Sequence, residues 1–195
     1  SANPYLFKSL RYDPIKDFTP VVRIAYFPFV LLVNESSPVQ NVRELLALAK
    51  AKPGTVSYAY TSSAGQVAAA ALSNSTGMDA VGVAFKAAPE AITSVISNQV
   101  TFTILDFATT KGMQDSRRLR AIAVTPNQRS ALAPDLPTIA QATGLKDFGT
   151  VAWMGIFGPA QVPEPVIERL SGELHNILDT PEFKFFVISL SLQRE

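Results

Sequence analysis

The sequence predicts an α/β fold in which short strands alternate with helices. Segments with helical spacing separate apolar runs of strand length, which lie at 24–33, 55–60, 80–85, 100–105 and 119–124. Each run is apolar at consecutive positions, which is typical of parallel strands covered by helices on both faces. Repeated strand–helix–strand units of this length favour right-handed crossovers.

Helix start and stop signals support this alternation. Asn41 and Glu44 form an N-terminal capping pattern ahead of an apolar helical stripe. An Ala-rich helix at 66–75 ends at Gly77, and Pro89 suits the first turn of the next helix. The Pro-rich stretch 125–137 is predicted as an ordered loop.

The last third of the chain continues the pattern. A short helix at 138–143 ends at Gly144, and a long strand is predicted at 148–157. Glycine inside that strand indicates a bulge or a close backbone approach. Two helices follow, from Pro163 to Leu178 and from Thr180 onward.

The composition excludes several classes of site. The chain has 195 residues, of which 47% are hydrophobic and 17% charged, and it has no cysteine. Structural disulfides, iron–sulfur clusters and thiolate sites are therefore excluded. The single histidine, His175, excludes sites that need two imidazoles. We expect no metal and no cofactor.

The charge balance and the apolar runs also limit the partners. Lys and Arg total 17 against 16 acidic residues, so the excess positive charge that nucleic-acid binding requires is missing. The longest apolar run, Ile24–Val33, is far shorter than the roughly 20 residues that span a bilayer. We expect neither nucleic-acid binding nor direct membrane insertion. The start at Ser1 shows no secretory signal, so a cytoplasmic protein and an exported, processed one both remain open.

The loops after the parallel strands are the places where a ligand is expected. In open α/β sheets, ligands bind beyond the carboxyl ends of strands, where helices begin. The first such loop is rich in small hydroxyl residues, and its candidate residues are Tyr60, Thr61, Ser62, Ser63, Gly65 and Gln66. Backbone N–H groups at this helix start suit a carboxylate or phosphate. An ordinary Ser-rich helix cap explains the same residues.

Two further loops carry a charged residue each. Phe85 and Lys86 follow the next strand, and Lys86 offers a cation to an acidic ligand; a solvated lysine in a turn is the alternative. Asp106 follows the strand at 100–105 and can accept from a ligand hydroxyl or amine. It is equally suited to cap the next helix, and the two roles are compatible.

Enzyme signatures are weak in comparison. A Gly-x-Ser-x-Gly nucleophile elbow is missing, and the acidic residues form no paired cluster. A catalytic role for Lys86, Asp106 or a serine of the first loop would lack a positioned base. We expect the protein not to be an enzyme.

Short motifs follow one another in order along nearly the whole chain. They are Asn3-Pro4-x-Leu6, Leu10-x-Tyr12-Asp13-Pro14-x-x-Asp17-Phe18-x-Pro20-Val21, Val30–Asn34, Leu45-x-Ala47-x-Ala49–Gly54, Tyr58-Ala59, Leu119–Thr125, Arg129-Ser130, Pro134-Asp135-x-Pro137–Ala140, Phe148 through Trp153-x-Gly155, and Pro159-Ala160-x-x-Pro163. In this order and spacing, the chain resembles the solute receptors of tripartite tricarboxylate transporters, the Bug or TctC-like periplasmic binding proteins.

The resemblance implies a type II periplasmic-binding-protein fold, the two-lobed Venus-flytrap architecture. It assigns 26–150 to a roughly complete lobe 2, and 1–25 with 151–195 to parts of lobe 1. The crossover strands are expected near 24–33 and 148–157. The N-terminal part of lobe 1 and the C-terminal end are expected to lie outside this chain, which would then expose apolar surface and self-associate.

The resemblance also implies a function. Such receptors capture small organic acids, including carboxylates and acidic amino acids, in the periplasm and deliver them to membrane permease subunits. It places the three loops against the ligand, with Phe27 and Pro28 lining the cleft wall. The alternative is the effector-binding module of a transcription regulator, which shares the two-lobed architecture and predicts an upstream helix-turn-helix segment.

The chain departs from the family pattern in the loops themselves. Ser62–Gly65 stands where the family has a Gly-x-Gly-Thr-like loop, and Ala68 stands where the following helix has a histidine. Phe85-Lys86-Ala87 replaces a Tyr-Lys-Gly turn. The resemblance therefore implies no particular acid.

Overall fold

The computed structural model describes residues 3–146 and 148–189, which fold as two compact units. Unit 1 comprises the chain up to Phe27 and from Ala152 onward, and unit 2 is Pro28–Val151. In chain order the elements are α1 (Asn3–Leu6), β1 (Phe18–Phe27), β2 (Phe29–Asn34), α2 (Val42–Ala51), β3 (Val56–Tyr60), α3 (Ser63–Thr76), β4 (Ala80–Ala84), α4 (Ala88–Ile96), β5 (Phe102–Asp106), α5 (Phe107–Asp115), β6 (Leu119–Val124), α6 (Ile139–Thr143), β7 (Ala152–Pro159), α7 (Glu164–Leu178) and α8 (Pro181–Ser189).

Unit 2 is built on a mixed sheet with the strand order β4-β3-β5-β2-β6. β3 runs parallel to β4 and β5, whereas β2 is antiparallel to β5 and β6. The parallel arrangement indicated by the sequence therefore holds for β3, β4 and β5 but not for β2. β2 is the first strand of this sheet in chain order, and it lies between β5 and β6, the last two.

The apolar run predicted as one strand at 24–33 is divided in the structure. Pro28 separates β1 from β2, and the two strands belong to different units. Proline has no N–H to donate to a ladder, so the strand pairing is interrupted there. The strand predicted at 148–157 begins later in the structure, since β7 starts at Ala152 and Phe148 is buried in unit 2.

The predicted helix ends are confirmed in unit 2. The Asn41 side chain accepts from the Glu44 N–H, while the Glu44 carboxylate reaches back to the N–H of Gln40. Gly77 and Gly144 end their helices with φ values of 68° and 79°, in the left-handed region that favours glycine. These caps define where α2 begins and where α3 and α6 end.

Unit 1 contains the antiparallel pair β1 and β7, whose register runs from Phe18 opposite Pro159 to Phe27 opposite Ala152. The glycine signal in the predicted strand is confirmed at Gly155, where a Cβ would lie 2.8 Å from the Val22 carbonyl oxygen. Large apolar side chains of this unit are exposed, including Trp153 and Phe157, whose ring centroids are 5.7 Å apart. Within the described residues, no helix is long and apolar enough to cross a membrane.

The buried residue Asn34 is the last residue of β2 and makes several hydrogen bonds. The Asn34 amide donates to the Ile96 carbonyl at 2.7 Å and to the Asn98 side chain at 3.0 Å. Its oxygen accepts from the N–H and hydroxyl of Ser36 at 2.9 and 3.0 Å. This side chain therefore ties the end of β2 to the end of α4.

Replacing Asn34 with alanine should lower the free energy of unfolding by about 2–3 kcal/mol, because Ile96 and Ser36 lose their buried partner. Urea denaturation measures the loss. Asn74→Ala is the matched control, since Asn74 is exposed on α3. Equal denaturation midpoints for the two variants would contradict the assigned role of Asn34.

Candidate functional site

One edge of the unit 2 sheet gathers the predicted loops. Tyr60 at the end of β3 is paired with Ala84 at the end of β4, and both strands are parallel to β5. β2 runs the other way, so its first residue, Phe29, pairs with Asp106 at the end of β5. We call this region the carboxyl edge, formed by residues 60–66, 84–89 and 106–109 with Phe29 and Thr125.

Backbone contacts join neighbouring parts of the carboxyl edge. The Phe85 N–H donates to the Tyr60 carbonyl at 2.9 Å, linking the first and second loops. The Thr125 N–H donates to the Phe29 carbonyl at the same distance. At Gly65 an added Cβ would lie 3.0 Å from the Ile104 carbonyl oxygen, so the start of α3 lies directly against β5. These contacts join the first loop to the second and place the start of α3 beside the strand that leads to Asp106.

The first loop presents the amino end of α3. The Ser62 hydroxyl accepts from the Gly65 N–H at 3.2 Å, so Ser62 caps the helix. The N–H groups of Ser63 and Ala64 lie in the first turn, where no intrahelical acceptor is available. Ser62 and Ser63 are exposed, and Thr61 and Gln66 are half-buried. The capping interpretation is confirmed, and the remaining donors can still receive an anion.

The second loop carries an exposed cation at the start of α4. The Lys86 side chain is exposed, and Phe85 is half-buried beside it. Ala87 caps α4 without a side-chain hydrogen bond. The Glu90 carboxylate in the first turn accepts from the Lys86 N–H at 3.3 Å, which places a negative charge at this helix end.

Asp106 is the cap of α5, as one of its two predicted roles required. Its carboxylate accepts from the Thr109 N–H at 2.8 Å and from the Thr109 hydroxyl at 2.7 Å. The side chain is half-buried at the carboxyl edge. It therefore compensates the positive end of α5 with its own charge.

An aromatic row supports the first loop from within the sheet. The Tyr58 ring lies over Gly82, where a Cβ would be 2.8 Å from the ring, and its centroid is 5.7 Å from that of Phe102. Tyr60 continues the row at 6.0 Å. Burial raises the pKa of the Tyr58 hydroxyl, with a smaller contribution from Tyr60. This packing fixes the end of β3 from which the loop departs.

Phe27 and Pro28 occupy separate units. Phe27 ends β1 and packs with Ala25 in unit 1, whereas Pro28 is buried at the start of unit 2. Phe29 and Thr125 lie at the carboxyl edge but were missed from the sequence. Thr125 directly follows β6, so the rule that located the other loops could have found it.

Other chemistry is sparse in the described part of the chain. No group of three His, Asp or Glu side chains there is arranged to hold a metal ion. His175 is exposed on α7, with Nδ1 2.7 Å from the Ser171 carbonyl oxygen.

The sequence matches a known family model. The model described as "Tripartite tricarboxylate transporter family receptor" matches residues 1–193. A "UPF0065 protein in tcbD-tcbE intergenic region" of Pseudomonas sp. strain P51 is 30% identical over 183 residues, covering 91% of this chain and 54% of that protein. The chain thus spans about half the length of the curated relatives it matches.

Solved structures resemble the chain in the same way. Rpa4515 of R. palustris, solved with adipate, has a TM-score of 0.83 at 26% identity, covering 96% of this chain and 63% of that one. The periplasmic binding protein BugD gives 0.80 at 26% identity, with 97% and 64% covered. MatC from Rhodopseudomonas palustris, with bound malate, gives 0.79 at 25% identity, with 96% and 64% covered. The α/β fold is therefore that of periplasmic binding proteins.

Replacing Gly65 with alanine should push the start of α3 away from β5, because the Ile104 carbonyl belongs to a central strand and cannot retreat. We expect unfolding to become easier by about 1–2 kcal/mol. Gly112→Ala is the matched control, since a Cβ there meets nothing within 4 Å and alanine favours the helix. Thermal melting should separate the two; a melting temperature raised in both would refute the close packing of α3 on β5.

Proposed function

Because the chain belongs to the receptor family of tripartite tricarboxylate transporters, we propose that it forms part of an extracytoplasmic receptor for a small organic acid. The acid is a carboxylate or an acidic amino acid. The receptor binds it without chemical conversion and delivers it to the permease subunits of a transporter in the membrane.

The observation that carries the proposal is the convergence of three helix starts on the carboxyl edge. The first turn of α3 offers the N–H groups of Ser63 and Ala64, and Lys86 supplies the cation of the second loop. A carboxylate is bound favourably by backbone donors at a helix start and by a nearby ammonium group. Two similar structures were solved with the carboxylic acids adipate and malate, which supports this ligand class.

The proposed site keeps the residues expected from the sequence. They are Phe27, Pro28, Tyr60, Thr61, Ser62, Ser63, Gly65, Gln66, Phe85, Lys86 and Asp106. Unit 2 corresponds in this proposal to lobe 2 of the receptor, and unit 1 to part of lobe 1. In this proposal the receptor has an open and a closed state, and the ligand shifts the population toward the closed state because that state binds it more tightly.

Periplasmic location and self-association complete the proposal. BugD, a periplasmic binding protein, supports the location. Exposed apolar side chains in unit 1, among them Phe185 and Ile177, support association of this chain with itself. Sedimentation velocity would measure the association, and the coding sequence upstream of Ser1 would test the location. A signal peptide encoded there would support the receptor. A helix-turn-helix segment would instead indicate the effector-binding module of a transcription regulator.

Lys86→Gln should weaken binding of an organic acid about ten-fold or more, because a charge-assisted hydrogen bond is lost. The probes are adipate, malate, aspartate and glutamate, titrated by calorimetry into the natural gene product and into this chain. Lys52→Gln is the matched control, since Lys52 is also exposed but precedes β3, at the opposite edge of the sheet.

A ligand at 100 times its dissociation constant stabilises the protein by about 2.7 kcal/mol, so thermal melting reports the same binding. Equal affinity of the Lys86→Gln and Lys52→Gln variants for the acid would show that Lys86 does not bind it. If none of the acids bound the natural gene product, the proposed ligand class would be wrong. Nanomolar binding by this chain alone, as a monomer, would overturn the two-lobed mechanism.

A further inference from the structure

The chain passes between the two units twice, and on the unit 2 side both passages lie near Thr125. The first passage is at Phe27-Pro28 and the second at Val151-Ala152. Phe29 follows the first passage directly, and Thr150 lies just before the second. Thr125 contacts both of these residues within unit 2.

Thr125 makes three hydrogen bonds to these two residues. Its N–H donates to the Phe29 carbonyl at 2.9 Å, and its own carbonyl accepts from the Thr150 N–H at 3.0 Å. Its hydroxyl donates to the Thr150 carbonyl at 2.6 Å. Thr125 is fully buried, so water cannot replace these partners.

The segment before the second passage is held tightly at the same place. At Gly149 an added Cβ would lie 3.0 Å from the Asn127 Cβ and 3.2 Å from its backbone nitrogen. The Thr150 hydroxyl is buried and has no hydrogen-bond partner among the described residues. The backbone of Thr150, and not its hydroxyl, therefore carries the attachment to Thr125.

We propose that Thr125 is a positioning residue that fixes the unit 2 ends of both passages, so that the chain bends only at 27–28 and 151–152. Only one of its three bonds depends on the side chain. Valine has nearly the same shape but no hydroxyl, and it would leave the Thr150 carbonyl without that donor. The proposal does not depend on the ligand, because it concerns the unliganded chain.

The experiment compares Thr125→Val with Thr103→Val, which removes another buried threonine hydroxyl. Thr103 is also fully buried, and its hydroxyl donates to the Ala59 carbonyl at 2.9 Å, within the sheet and away from both passages. Thr125→Ser keeps a hydroxyl at the site. Thr150→Val removes only the hydroxyl that lacks a partner.

Two readouts on the full chain are combined, and urea denaturation compares the stability of the variants. Hydrogen exchange reports the opening of the Thr150 amide. Because the chain has no cysteine, spin labels at Ser75→Cys and Glu173→Cys, both exposed and one on each unit, report the spread of inter-unit distances without ligand.

In Thr125→Val, exchange at Thr150 should become about five-fold faster, and the distance distribution should broaden. Thr125→Ser should restore both readouts, and Thr150→Val should leave both unchanged. Thr103→Val should lower the denaturation midpoint about as much as Thr125→Val without changing either readout. An unchanged distribution in Thr125→Val, or equal broadening in Thr103→Val, would overturn the proposal.

Discussion

The complete burial of β2 is the constraint on which unit 2 depends. All six of its residues are buried, and the strand pairs with β5 on one side and β6 on the other. Each fully buried valine or leucine contributes roughly 1.5–3 kcal/mol through the hydrophobic effect, so the register of this strand is strongly specified. Because that register places Phe29 opposite Asp106, the same burial brings the start of unit 2 to the edge where the loops lie.

The carboxyl edge is not uniformly attractive to an anion. Glu90 and Asp106 place the chain's own carboxylates at the starts of α4 and α5. The start of α3 is capped only by the neutral hydroxyl of Ser62 and keeps its positive potential. For the proposed receptor, the carboxylate of the ligand would therefore be favoured at the first loop rather than at the starts of α4 and α5.

Sequence reasoning located the loops because the βα rule depends only on strand order and chain direction. Tyr60, Lys86 and Asp106 follow their strands as predicted, and the Asp106 cap was one of its two expected roles. The direction of β2 could not be deduced, since an apolar run has the same composition in either direction. The division at Pro28 depends on which strands pair with each half of that run, which is long-range information. The position of Thr125 after β6 could have been found by the same rule, but its contacts with Phe29 and Thr150 could not, because those residues are distant in sequence.

Some of the motifs that match the family lie in the buried sheet, whereas Ser62 and Ser63 of the first loop are exposed. Val30–Val33, Leu119, Thr138 and Ile139 are almost completely buried, so their identities are set by packing in the sheet. Ser62 and Ser63 are exposed, and Gly65 beneath them holds α3 against β5 through the backbone. Side chains of the loop can therefore change without moving the helix start. For receptors of the proposed kind, a fixed backbone with variable exposed side chains would allow one fold to present the same N–H donors to different acids.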